Sequence, residues 1–436
     1  MARATDVLAE PLAPVPEPEP PARGLTPREW VRANLASSPF NAALTLLIGA
    51  GVAWALYRLG RWVFVTADWA VVRVNLRLFM VGLFPADELW RLWAAGYVLV
   101  AAVSLAAGAL AASMRRPVAG EGEGIAGDLG GGRRRGGVAR RAATALHRFW
   151  PAVLAVAVIL SFTRTVVPSL GTLGLVAVGV AAGALGARLP VRLRRWAWLV
   201  GVAGILGGLQ VITAGDGGVG WDDWGGLHLA VAATIAGIAL AFPLGLLLAL
   251  GRRSSLPGLR VVSTAYIEAF RAVPLVALLF LGNFMIGFMF PTAVEPPSFL
   301  VRAVIAITVF EAAYIAEIVR GGLQAVPRGQ IEAAQAVGLS PVGVMRLVVL
   351  PQALRAVIPA MVGQFISLFK DTSLLSIIGF FELVDVTRAV TLQDAFRGQG
   401  LRPVALAFAG LIYWAGCATM ARESRRLETR LGVGER

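Results

Sequence analysis

Stretches of roughly 18 to 25 mostly apolar residues recur along almost the whole chain, broken by short polar loops. A helix of that length crosses the hydrocarbon layer of a bilayer, and a spanning segment must be helical to satisfy its own backbone. The runs fall at about 40–65, 92–114, 150–167, 169–187, 196–213, 226–250, 264–290, 300–320, 354–380 and 402–420. The pattern predicts an all-α polytopic membrane protein with about ten transmembrane helices. Residues 1–39, rich in Pro, Glu and Ala, lack such a run and read as a disordered cytoplasmic tail without a secretory signal peptide. Residues 421–436 read as a basic cytoplasmic tail.

Composition agrees. Hydrophobic residues make up 57% of the chain and charged ones 15%, against about a quarter charged in a soluble domain. A single cysteine, Cys417, excludes internal disulfides and cysteine-rich metal sites. Two histidines, His147 and His228, are too few for a histidine metal cluster. The net charge of +14 sits in short loops between the apolar runs, a membrane-topology signal rather than a nucleic-acid one. Arginines crowd the loops 115–149, 188–195 and 251–262 and the C-terminal tail, which share one side if ten spans start inside. The expected topology is therefore N-in and C-in, with Arg73, Arg77 and Arg91 as exceptions on the outer side.

The Gly- and Arg-rich loop 115–149 and the WDDWGG stretch at 221–226 are the natural joints. They divide the chain into an N-terminal region (40–220, about five helices) and a core (221–420). Spans of the first part are bland, whereas the core carries Glu268, Arg271, Glu311, Glu317, Lys370, Asp371 and Glu382 in or beside apolar runs. Ionisable groups at membrane depth are costly, so they are candidates for function. Arg271 and Pro274 stand near the start of a span, where a proline break frees backbone groups and a guanidinium can hold a carboxylate. Glu317 and Arg320, three apart, can pair; Glu311, six from Glu317, faces the other way. Lys370, Asp371, Thr372 and Ser373 fall where the ninth span breaks, with Asp371 placed to cap a new helix and Lys370 to neutralise it. Arg271, Pro274, Glu317 and Lys370 to Ser373 are the candidates for a translocation path. His228 and Cys417, without clustered partners, read as packing residues, and the tryptophans near span ends as an interfacial belt.

Between the eighth and ninth spans, residues 321–360 are too polar at first to cross a bilayer and too apolar for a disordered loop. Ile331 to Val337 reads as a short helix ended by Gly338. Ser340 and Pro341 can restart it as N-cap and first helical residue, with Leu347, Leu350 and Leu354 forming a face toward the next helix. The expectation is a helix–turn–helix with a partly apolar exposed surface, suited to docking a partner.

Glu332-Ala333-Ala334, three residues, Gly338, nine residues and then Val348-x-Leu350-Pro351 resembles the EAA motif of ATP-binding-cassette (ABC) importer permeases, with Val348 where isoleucine is usual. The stretches IEAFRAVPLVALLF (267–280), AYIAEIVRGGLQAVPRGQIEAAQAVGL (313–339), PQALRAVIPA (351–360) and FKDTSLLSIIG (369–379) look like the polar amino-acid permeases. WAVVRVNLRLFMVGLFPADELWR (69–91) is similar to the longer permease subunits of general L-amino-acid transporters. The resemblance implies a five-helix permease core whose coupling loop, 321–351, fits an ATPase subunit. Glu332, Ala333, Ala334, Gly338, Leu350 and Pro351 would form that contact, Glu332 being polar and Gly338 the turn. It also implies two copies of an ATPase, a second homologous permease chain, an extracytoplasmic amino-acid-binding protein, membrane lipid around the spans, and an inner-membrane location.

The chain has one lysine among 39 arginines, Lys370, flanked by Phe369 and Asp371. A phosphate-binding P-loop requires Gly-Lys-[Ser/Thr], so no such motif can be written here. ATP and magnesium are therefore expected on partner subunits, and no cofactor on this chain. An ion-coupled secondary amino-acid transporter is the alternative, and it leaves the 321–351 loop unexplained. An intramembrane enzyme would need clustered acids, and the doublet Asp222-Asp223 lies in a glycine-rich loop with no second cluster.

Overall fold

A computed structural model describes residues 26–114, 166–194, 196–214, 218–291 and 294–431. The described residues are almost entirely helical. They form two compact units, residues 1–67 and 68–436.

In the first unit, α1 (Pro27–Asn34) starts in a capping box. Glu29 N donates to Thr26 Oγ1, and the Glu29 carboxylate accepts from Thr26 N at 2.8 Å. That backbone N–H, with the Thr26 hydroxyl, holds the Glu29 carboxyl below its usual range. Ser38 caps α2 (Pro39–Arg61), which is apolar all round and buries none of its residues within the unit.

The second unit begins with two short helices, α3 (Ala70–Val74) and α4 (Leu76–Val81), followed by α5 (Leu89–Met114), α6 (Val166–Arg188) and α7 (Ala197–Thr213). Glycines of α6 and α7 bring these helices close to α5: Gly174 meets Tyr97, Gly179 meets Val100, and Gly208 meets Ala95. In a bilayer, where the hydrophobic effect does not drive helices together, small residues allow the contacts that do. Arg91 is buried and donates to Val211 O and Ala214 O, so its guanidinium closes the C-terminal end of α7.

Then follow α8 (Gly226–Arg252), α9 (Pro257–Ala272), α10 (Leu275–Phe280), α11 (Phe299–Ala325), α12 (Arg328–Ala336), α13 (Pro341–Val344), α14 (Leu350–Asp371), α15 (Leu383–Leu392) and α16 (Arg402–Leu431). Helices α8 and α11 lie side by side and parallel, with Gly237 against Ile307 and Gly245 against Ala312 and Ile315. A Cβ on Gly245 would come within 2.8 Å of Ala312 O. Helix α14 runs back antiparallel along α11, Val357 lying on Gly322, and α16 packs on α14 where Gly416 meets Phe369.

Seven helices among the described residues are long and apolar enough to cross a membrane, or eight with one bent pair; Leu199–Thr213 is apolar but shorter. The span expected at 150–167 lies outside the described residues except for its last two. The expected single span at 264–290 is instead broken. Residues Pro257–Ala272 and Leu275–Phe288 meet at 105°, because Val273 and Pro274 are extended and Pro274 supplies no N–H to continue α9.

Candidate functional site

The helix–turn–helix forms as local chemistry dictates. Val326, before Pro327, is extended and ends α11, so α12 starts two residues later. Helix α12 ends in a Schellman motif: Leu339 N donates to Ala334 O (3.2 Å) and Gly338 N to Gln335 O (2.9 Å), with Gly338 at φ +84°. Ser340 Oγ then accepts from Gly343 N at 3.2 Å and starts α13. Glu332 and Ala333 are exposed, whereas Ala334 is buried against the core that holds Val344, Val349 and Ala353. Leu350 is half-buried and Pro351, in the first turn of α14, is exposed.

One expectation is corrected here. Leu347 does not join the inward face of the next helix; it is 63% exposed. A π turn at Met345–Val349 inserts one residue into the helical phase, so Val344 and Val349 point inward in its place. With Val337 and Val342, Leu347 is one of three exposed apolar side chains on the helix–turn–helix that also exposes Glu332.

Arg271 and Glu317 come together in one charged cluster. Glu317 Oε1 accepts from Arg252 (2.6 Å) and Arg320 (2.9 Å), while Oε2 accepts from Arg320 (2.9 Å) and lies 3.6 Å from Arg271. Arg252 also reaches Glu268 at 2.8 Å, and the Arg271 guanidinium lies over the Tyr314 ring. The cluster ties the end of α8, the last turns of α9 and α11 together beside the 105° bend. Arg253 adds a hydrogen bond to Leu323 O at the end of α11. Pro274 is exposed and sets the bend itself.

Lys370, Asp371, Thr372 and Ser373 lie at the other end of α14. The chain does break there, as α14 passes at Asp371 into a 3-10 stretch, Thr372–Ile378. Asp371 makes no cap hydrogen bond, contrary to the expected role. Both helical forms keep right-handed backbone at Asp371 and Thr372, so no N–H is left in the geometry an N-cap requires. Thr372 Oγ1 instead bonds back to Phe369 O, and Ser376 Oγ to Ser373 O. Lys370 is exposed and Thr372 fully buried.

Three buried groups were not singled out as partners by sequence reasoning. Gln364 donates to Glu311 Oε2 at 3.0 Å between α14 and α11, and Glu311 Oε1 is buried without a partner. Arg302 donates to Pro297 O and Asn283 O and so holds the far end of the broken span. Glu382, fully buried, accepts from Val384 N at 2.7 Å and from the Tyr413 hydroxyl. Burial raises the Glu382 carboxyl to about 7 despite those donors. Gln364 and Glu311, Tyr413 and Glu382, and Arg302 and Asn283 are 53, 31 and 19 residues apart, so no local signal could have paired them.

Residues 241–433 match the family described as binding-protein-dependent transport system inner membrane component. The chain is 33% identical over 424 residues to the inner membrane amino-acid ABC transporter permease protein YhdY of Escherichia coli, with 93% of each chain covered. It is 33% identical over 463 residues to the glutamate/glutamine/aspartate/asparagine transport system permease protein BztC of Rhodobacter capsulatus, with 98% of each covered. A crystal structure of an amino acid ABC transporter with histidines aligns at 29% identity and a TM-score of 0.41, covering 46% of this chain and 90% of that one. With its multi-pass helical architecture and its relatives matched nearly end to end, this chain belongs to the family of inner-membrane ABC transporter permeases, among those of amino-acid transport.

Proposed function

We propose that the chain is the subunit through which an ABC importer carries L-amino acids across the inner membrane, by alternating access driven by separate ATPase subunits. The observation that carries the coupling is the helix–turn–helix of α12 and α13. It exposes Glu332 together with the apolar Val337, Val342 and Leu347, a mixed polar and apolar surface of the kind that docks a partner. It is also joined to α11 by only Val326 and Pro327, so force applied to α12 reaches the Glu317 cluster along one rigid helix.

In this reading two ATPase copies dock on α12 of this chain and of a second, homologous permease chain, and an extracytoplasmic binding protein delivers the amino acid. ATP and magnesium are held by the ATPase subunits. Residues 221–420 act as the permease core and 40–220 as an accessory region. Arg271, Pro274 and Glu317, at the broken span, and Lys370 to Ser373, at the break after α14, remain the candidates for the translocation path.

The test is co-purification in mild detergent with ATPase assay and radiolabelled amino-acid uptake, comparing wild type with Glu332→Lys and Gly338→Asp. The expected result is co-purifying ATPase and permease chains in the wild type, with uptake lost in both variants while each still accumulates in the membrane. Uptake that persists in both variants without ATP sinks the proposal.

A further inference from the structure

Between α5, α7, α8 and α11 lies a cavity of about 510 Å³ with almost wholly apolar walls. Its lining runs along α8 from Trp224 and His228, at the N-terminal end, down to Leu240. His228 to Leu240 spans about 18 Å at 1.5 Å per residue. That is close to one leaflet of a hydrocarbon core about 30 Å thick. Val231, Leu240 and Ile305 line the cavity and are also exposed, so it opens sideways through the apolar flank of the spans.

The end of the cavity at Trp224 is different. Trp224 is 3% exposed, and its indole Nε1 is buried with no hydrogen-bond partner. His228 Nδ1, whose ring lies 4.6 Å from that of Trp224, is also buried and unpartnered. A buried indole N–H ordinarily finds an acceptor, and tryptophan at the rim of a bilayer does so at the level of the lipid headgroups. The cavity thus offers a leaflet-long apolar channel with a donor at its polar end.

We infer that the cavity holds one acyl chain of a membrane phospholipid, in the leaflet at the N-terminal end of α8. Its ester carbonyl accepts the Trp224 N–H, and His228 Nδ1 provides a second polar contact beside it. The chain lies between the accessory helices α5 and α7 and the core helices α8 and α11, filling space that protein side chains leave open. A phospholipid fits better than a soluble apolar ligand because the opening faces lipid and the length matches a leaflet.

Fluorescence in defined bilayers tests this. The full chain is reconstituted in vesicles of palmitoyl-oleoyl-phosphatidylcholine, and separately in the analogue whose second chain is dibrominated, a contact quencher. The Trp224 contribution is the difference between wild type and Trp224→Phe. More than half of that difference is expected to vanish in the brominated lipid, although the side chain is shut off from the bulk bilayer. Ala236→Phe, which places a ring in the cavity, is expected to restore it at least twofold. Equal Trp224 emission in the two lipids would show a cavity that is empty or filled by protein, and overturns the inference. So does quenching that Ala236→Phe leaves unchanged. If Ala236→Phe does not accumulate, the wild-type and Trp224→Phe pair still decides.

Discussion

Glu317 accepts from two arginines and faces a third with only 16% of its side chain exposed. Its removal leaves Arg252, Arg271 and Arg320 facing one another with only Glu268 between them, the costly way to break an ion cluster. Glu317→Gln is expected to destabilise the protein by about 2 kcal/mol, read as a faster thermal inactivation in detergent. Asp385→Asn, which breaks a single pair with the exposed Arg388, is expected to change it by less than about 0.5 kcal/mol. Equal effects of the two would refute the central role given to Glu317. Glu382 makes a pH prediction. Its folded carboxyl titrates near 7, above the ordinary 4.5, so the folded state holds a proton that the unfolded state has released. That contribution is full below pH 4.5 and is lost as pH rises through about 7, amounting to up to about 3 kcal/mol. The melting temperature of wild type relative to Glu382→Gln should therefore fall from pH 5 to pH 8; a difference flat in pH would contradict the assignment.

At the scale of elements, glycines do two separate jobs. A side chain at Gly338 meets nothing within 4 Å, so the cost of Gly338→Ala is that of its φ of +84° alone, about 1 kcal/mol. Gly338→Asn should be milder, since asparagine tolerates that backbone, and the order Gly, Asn, Ala in coupled ATP hydrolysis checks it. Gly245 has the opposite problem: its backbone is ordinary and its space is absent. Gly245→Val should force α8 from α11 and abolish accumulation in the membrane, whereas Gly321→Ala, with open space beside it, should be neutral. The helix–turn–helix was legible in the sequence because Pro327, Gly338, Ser340 and Pro341 each act within four residues. The π turn that reverses Leu347 and Val349 was not, since an inserted residue leaves the composition of a helix unchanged. Pro274 marked a break in its span, but an angle of 105° depends on what α9 packs against, namely Tyr266 bonded to Val309 O and the ion cluster below it.

On the scale of the whole molecule, the all-helical class and the multi-pass membrane character were readable from hydropathy alone, because lipid demands both length and helicity. How the short α3 and α4 seat on the core was not. Phe79 lies edge-on to Phe408, Gln393 donates to Asn75 Oδ1, and Gly225 is so enclosed that a Cβ would come within 2.8 Å of Gly82 Cα and Phe381 O. These contacts join the first and last parts of the second unit, and predict that Gly225→Val, like Gly245→Val, prevents accumulation. A chain that retains normal yield with valine at 225 would place that junction outside the stability of the fold.

Lys370 finally makes the protein chemically singular. A chain of 39 arginines offers amine-reactive reagents one side chain, and the structure leaves that amine exposed at the break following α14. An acylating dye or a mass tag applied under native conditions would therefore modify a single side chain, itself among the path candidates, with the α-amine of the chain as the second site to be counted separately. The rate of attachment at Lys370, followed while nucleotide and amino acid are added, becomes a clock on how often that side chain is covered.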